Sequence, residues 1–228
     1  MTIDNFVSGE DIIAFTNDGA SMGNISVTSN SDGVMTLSSS GNTATKAQWQ
    51  AALRAVTYRN TSDSPSTTNR SVTYQINDGS LDSNMISSTI EITSVNDAPT
   101  SEDITVSILE DTSYTLNVSD FAFSDIEGNS FIAIKITDLP LSGTLKLNGT
   151  DVSQDDLISV DDINDGKLVF TPTPDTYGTA YTNFKFQVQD DGGTANSGSD
   201  LSLKHTVTID VIHTSQAPVL DQTSTLTY

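Results

Sequence analysis

Apolar and polar residues alternate in short runs along most of the chain. Val72-Thr73-Tyr74-Gln75-Ile76 has one apolar and one wet face. Phe184-Lys185-Phe186-Gln187-Val188, Val207-Thr208-Ile209-Asp210-Val211 and Leu145-Lys146-Leu147 repeat the pattern. A period of two, bounded by Gly, Asn and Asp, predicts half-buried strands. With such segments recurring throughout, the chain reads as all-β, built as antiparallel sandwiches. One stretch departs from the rule. Between Ala44 and Val56, the residues Trp49, Ala52, Leu53 and Val56 recur at helical spacing, which predicts one short helix packed over a sheet. That register makes Trp49 a core residue instead of a ligand-stacking platform.

The pattern also repeats at long range. Ile90-Glu91-Ile92 followed by Val95-Asn96-Asp97-Ala98-Pro99 aligns with Ile209-Asp210-Val211 followed by Thr214-Ser215-Gln216-Ala217-Pro218. Upstream of each, Tyr74-Gln75-Ile76-Asn77-Asp78-Gly79 aligns with Phe186-Gln187-Val188-Gln189-Asp190-Asp191-Gly192. A strand, an acidic turn, a last strand and a proline-marked exit thus occur twice, the signature of a tandem repeat. Proline suits the exit because it cannot donate to a ladder and stiffens a linker. The expected organisation is two tandem Greek-key sandwiches, the first at 1–97 with the helix and the second at 98–216, with 217–228 opening a third repeat. Pro99 and Pro218 are 119 residues apart, so the first repeat is expected to lack its opening strand, and the tail is expected to be able to self-associate by strand addition.

Composition narrows the function. A net charge of −21 argues against nucleic-acid or anionic-membrane partners. No apolar run approaches the roughly 18 residues of a membrane span. There is no cysteine, so a small exported domain would have to be stapled by something other than disulfides, and metal is the leading candidate. Asp outnumbers Glu 25 to 5, and Ser with Thr makes up more than a quarter of the chain. Asp belongs to turns and is a ligand for hard cations.

The acids concentrate around one boundary. Asn96 and Asp97 lie in the linker, Asp125, Glu127 and Asn129 fall at alternate positions of one turn, and Asp190 and Asp191 precede the last strand. In a Greek-key sandwich these turns and the entering linker meet at one end, where they could supply the six to eight oxygens that calcium prefers. Adjacent carboxylates at 4 Å repel by roughly 1 kcal/mol in water and about 4 kcal/mol at an effective dielectric of 20, which favours a cation among them. Glu10, Asp11, Asp78 and Glu110 are weaker candidates, and Asp161, Asp162 and Asp165 read as a plain acidic turn. The run from Asp125 is not an EF-hand, because Ser130 and Ile136 stand where that loop needs Gly and a bidentate Glu. His205 and His213 have no companion for a zinc site. No Gly-x-Ser-x-Gly, clustered histidine or anchored carboxylate pair supports an enzyme.

The linker Asn96-Asp97-Ala98-Pro99, the alternate acids Asp125 and Glu127, and the Asp190-Asp191 pair resemble cadherin calcium motifs. The wider order resembles the bacterial cadherin-like repeats of large adhesins exported by type I secretion. In the first repeat Phe6-Val7-Ser8-Gly9-Glu10-Asp11 and the run from Trp49 to Tyr58 carry the likeness. In the second it is carried by Leu139-Pro140, Gly143-Thr144-Leu145, Phe170-Thr171-Pro172 and Gln189-Asp190-Asp191-Gly192-Gly193. The resemblance implies Ca2+ as cofactor, an Ig-like sandwich, a secreted or cell-surface location, and a spacer whose interdomain linker calcium makes rigid. Its partners would be neighbouring repeats. The alternative is a carbohydrate- or protein-binding adhesion module, with Tyr177 and Tyr181 as the candidate sugar-stacking residues. Two departures matter. Ser94 replaces an acid of the cadherin linker, and Ser215-Gln216 replaces Asn96-Asp97 at the second boundary, which should therefore bind metal poorly.

Overall fold

The computed structural model describes residues 1–215. The chain divides into two compact units, Met1–Val95 and a second that begins at Asn96. The division falls two residues before the expected one, so Asn96 and Asp97 belong to the second unit. The segment from Gln216, including the expected third repeat and self-associating tail, lies outside the described residues.

In the first unit the strands are β1 (Thr2–Asp4), β2 (Asp11–Ala14), β3 (Ile25–Ser31) and β4 (Val34–Ser39). The helix α1 (Lys46–Arg54) follows, then β5 (Thr57–Asn60), β6 (Arg70–Tyr74) and β7 (Ile86–Ile90). They form a five-stranded antiparallel sheet of order β3-β4-β1-β6-β7 and a β2-β5 ribbon. The helix starts where local chemistry satisfies its free amides. The Thr45 hydroxyl accepts from the Gln48 N–H, and the Gln48 side chain accepts from the Thr45 N–H at 2.8 Å. Its inner face buries Ala52 completely, with Trp49 packed half-buried on the same cluster. The alternation from Val72 ends sooner than expected. Strand β6 stops at Tyr74, and Ile76 stands exposed, its N–H held by the Ser83 hydroxyl at the mouth of a hairpin.

The core of this unit is thin and split: Ile3, Ile13, Met35 and Val72 form one cluster and Met22, Ile25 and Ala52 another, each with partly buried neighbours. The narrow cover leaves an open apolar groove of about 380 Å³ lined by Leu53, Tyr74, Ile76 and Ile86, which the sequence pattern does not mark. Polar bonds compensate. Arg70 is fully buried and sends its Nε to Asp11 Oδ2 at 2.7 Å and its Nη2 to Asp11 Oδ1 at 3.2 Å. Asp11 also accepts from Tyr58 Oη, Asn60 Nδ2 and the Val7 N–H. Glu10 pairs with Arg70 at 3.4 Å and accepts the Ser66 N–H. The weak metal candidates Glu10 and Asp11 are therefore committed to an internal guanidinium.

The second unit contains β8 (Ile104–Leu109), β9 (Tyr114–Thr115), β10 (Phe131–Asp138), β11 (Thr144–Leu147) and β12 (Thr150–Asp151). After these come β13 (Leu157–Ser159), α2 (Val160–Asn164), β14 (Leu168–Thr171), β15 (Gly178–Asp190) and β16 (His205–Ile212). Two sheets, β13-β10-β15-β16-β8 and β12-β11-β14-β9, enclose a larger core. Phe184, Phe186 and Val188 of β15 cluster with Ile134 and Ile136 of β10 and Val207, Ile209 and Val211 of β16 from the same sheet and with Phe170 of β14 from the other, all buried. Phe121 meets Phe186 edge to face at 5.0 Å. Among the described residues of this unit all strand pairings are antiparallel except one. The entering strand β8 runs parallel to the departing β16 from Ile104↔Val207 to Leu109↔Ile212. The acidic turn expected near Asp161 is a single helical turn, α2. The Ser159 hydroxyl caps it, Ile163 anchors it, and Lys167 neutralises Asp162 at 2.7 Å and Asp165 at 3.0 Å.

Candidate metal centre

The period-two register of β15 governs the site. Thr182, Phe184, Phe186 and Val188 all point inward, and the next residue in phase is Asp190, only 1% exposed. The strand that builds the core thus carries a carboxylate into it. Its neighbour Asp191 is out of phase and exposed, and its Oδ1 accepts the Ser130 N–H at 2.7 Å.

The turn leading into β10 adds the second contribution. Asp125, Glu127 and Asn129 are half-buried, while Ile126, Gly128 and Ser130 between them are exposed. Asp125 Oδ1 accepts the Asn129 N–H at 2.7 Å and so shapes the turn. The third contribution is the first residue of the unit. Asn96 donates through Nδ2 to Asp190 Oδ1 at 3.0 Å and to the Ser199 carbonyl at 2.7 Å. Its own carbonyl accepts the Ser199 N–H at 2.9 Å, and its Oδ1 meets Asn129 Nδ2. Asn96, Asp125, Asn129 and Asp190 are thereby linked from segments far apart in sequence, and Glu127 lies near enough to feel the charges of Asp97 and Asp125. Asp97 is exposed at the rim.

Buried polar atoms in folded proteins are nearly always hydrogen-bonded, and each exception needs a reason. Among the described residues, the buried side-chain oxygens without a partner are Asp125 Oδ2, Glu127 Oε1 and Oε2, and Asp190 Oδ2. All four are carboxylate atoms, and all belong to this cluster. No Lys or Arg ion-pairs with any of them among the described residues. Burial pushes the Glu127 carboxyl up from its ordinary range, opposed by the nearby backbone amides of Asp97 and Glu127 and reinforced by the charges of Asp97 and Asp125. Burial also raises Asp190, opposed by the hydrogen bonds from the Gly192 N–H and Asn96 and reinforced by Asp125 and Asp200. Among the described residues no group of three or more His, Cys, Asp or Glu side chains is placed to hold a metal ion, Asp125, Glu127 and Asp190 included. Further ligands would have to come from amide or backbone carbonyl oxygens, which calcium accepts and zinc seldom does.

The other candidates fare differently. Glu110 is buried but saturated, accepting from His213 Nδ1 at 2.8 Å and from the N–H and hydroxyl of Thr214. Those bonds, the Thr214 N–H foremost, hold its carboxyl below the ordinary range despite burial. Asp78 caps an exposed turn through the Ser80 and Leu81 amides. His205 opens β16, half-buried and 3.5 Å from Asp103. Tyr181 is tied by Thr173 and Thr176, and the Tyr177 ring lies tilted by 30° against His213, with centroids 4.3 Å apart. Sequence reasoning misses Asp200, whose carbonyl accepts the Asp190 N–H at 3.1 Å. A lone acid in a loop carries no spacing signal, and only strand pairing brings it to Asp190.

Residues 96–209, half of the chain, match the family described as the bacterial Ig domain. The chain belongs to the bacterial Ig domain family. The match starts at Asn96, the residue at which the second unit begins. Bacterial Ig domains are a non-catalytic type, often found as extracellular surface modules. No curated protein matches the chain. Among the described residues no helix is long and apolar enough to cross a membrane.

Proposed function

We propose that the chain is a pair of calcium-stiffened, cadherin-like repeats from a large bacterial surface adhesin exported by type I secretion, serving as a spacer. The observation that carries this reading is the set of partnerless buried oxygens on Asp125, Glu127 and Asp190. Hydrophobic packing cannot satisfy them, and no basic side chain neutralises them, so a hard cation is the simplest group that restores the balance. Flexible six-to-eight coordination by mixed carboxylate, amide and carbonyl oxygens favours Ca2+ over Mg2+. Asp125, Glu127 and Asp190 would hold it, with Asn96, Asp97 and Asn129 completing the set. Bound calcium would cancel their mutual repulsion. It would also fasten the entering residues Asn96 and Asp97 to the body of their own domain, so that a row of repeats keeps its length under load. The glycan-binding alternative has no comparable support, since Tyr181 is spent on internal hydrogen bonds and Tyr177 lies against His213.

Calorimetric titration of the chelator-treated protein with calcium tests this reading. Extracellular calcium modules bind at roughly 10⁻⁴–10⁻³ M, with tighter sites known. Heat of binding is expected, and Asp190→Asn should abolish it while leaving the metal-free protein folded, because that substitution removes a repelling charge at constant shape. No binding by the parent protein, or undiminished binding by the variant, would remove the proposal's support.

A further inference from the structure

We infer that Gly192 is the positioning residue that admits Asn96 to the carboxylate cluster, and so couples cation binding to closure of the loop between β15 and β16. This rests on the calcium reading above but assigns a role to a residue that is not itself a ligand. Gly192 lies outside the left-handed backbone region, so flexibility is not the reason for a glycine there. Space is the reason. A Cβ at this position would overlap Asn96 Oδ1 and Asn129 Nδ2. Its N–H meanwhile donates to Asp190 Oδ1 at 2.8 Å, the same oxygen that accepts from Asn96 Nδ2. The missing side chain therefore lets an amide from the start of the unit reach a carboxylate at the end of β15.

The same loop returns to Asn96 a second time. Gly198 faces its backbone so closely that a Cβ would lie 3.1 Å from the Asn96 carbonyl oxygen, and the next residue, Ser199, exchanges hydrogen bonds with both the amide and the carbonyl of Asn96. The loop thus wraps the entering residue, and anything that swings Asn96 aside must loosen the loop as well. The overlapping atoms on Asn96 and Asn129 are the far ends of side chains. Gly192→Ala can therefore fold by turning them away, at the expense of the site.

Gly193 supplies the control. It sits at φ +75°, where an alanine is strained, yet its Cβ would meet nothing within 4 Å. Calcium titration of the full chain, read beside metal-free melting, separates the two effects. Gly192→Ala is expected to bind calcium about 10–100-fold more weakly, the loss typical of removing a ligand's supporting contact, and to melt lower without metal as well, because turning Asn96 aside gives up its bonds to Asp190 and Ser199. Asn96→Ala should lose affinity similarly without introducing any clash. Gly193→Ala should melt lower with and without calcium while its affinity stays that of the parent. Amide exchange at Ser199 should be slowed by calcium in the parent and in Gly193→Ala, but not in Gly192→Ala. Parent-like affinity in Gly192→Ala or in Asn96→Ala would overturn the inference while leaving the calcium site standing. An absence of binding by the parent would overturn both.

Discussion

Replacing Arg70 by Met is expected to unfold most of the first unit while the second keeps its own melting transition. Asp11 sits on the strand β2 and is 4% exposed, and its carboxylate takes two of the bonds of the Arg70 guanidinium. Removing the cation leaves an unpaired charge in a unit with few buried apolar side chains, Ile3, Ile13, Met35 and Val72 in one cluster and Met22, Ile25 and Ala52 in another. Breaking such a pair from one side typically costs about 3–5 kcal/mol, against a total stability of about 5–15 kcal/mol for a whole domain. Changing Asp11 to Leu at the same time should recover much of the loss, since apolar replacement of both partners is often neutral. The pair also sets an acid limit. Burial alone would raise Asp11, but hydrogen bonds from Arg70, then Tyr58 and the Val7 N–H, outweigh it and hold the group at about 2 against its ordinary 3.8. A depressed carboxylate stabilises the fold at pH values above the ordinary 3.8. Its contribution, about 2 kcal/mol, should disappear as the pH falls toward 2. Differential scanning calorimetry at pH 7, 4 and 2.5 would show this. A first-unit transition that Arg70→Met leaves in place would mean the buried pair is not what closes that core.

Calcium is expected to raise the melting temperature of the second unit and to leave that of the first unmoved. At a free concentration one hundred times the dissociation constant, mass action adds about 2.7 kcal/mol to any unit that binds only when folded. For a unit of this size that corresponds to a shift on the order of 10 °C between chelator and calcium. The asymmetry follows from where the partnerless carboxylates lie. Buried carboxylate oxygens of Glu127 and Asp190 in the second unit have no counter-charge among the described residues, whereas the buried acid of the first is already paired with Arg70. Equal shifts in both transitions, or none, would contradict this assignment.

The strands were readable wherever burial is one-sided. The alternation through Phe184, Phe186 and Val188 predicts β15, and extended one step further it says which of Asp190 and Asp191 faces inward. The alternate acids of the turn at Asp125 and Glu127 were equally legible, because their spacing is itself the signal. Position along the chain was less informative than contact. Asn96 reads as linker, yet its amide and carbonyl are bonded to Ser199, more than a hundred residues on, and this draws it into the second unit. Arg70 leaves no signal in the sequence, since nothing in its neighbourhood says that Asp11 lies opposite. Asp200 and Gly192 were hidden for the same reason. Their importance comes from strand pairing and from the space beside Asn96, and neither leaves a periodic trace. The parallel pairing of β8 with β16 is likewise a property of topology, invisible to an alternation that looks the same in either direction.

The most direct test of the calcium reading is an anomalous-scattering map from crystals grown with calcium. The expected result is one strong peak within about 2.3–2.6 Å of oxygens from Asp125, Glu127 and Asp190. A map with no peak there, or with its strongest peak beside Glu110 and Thr214 instead, would contradict it.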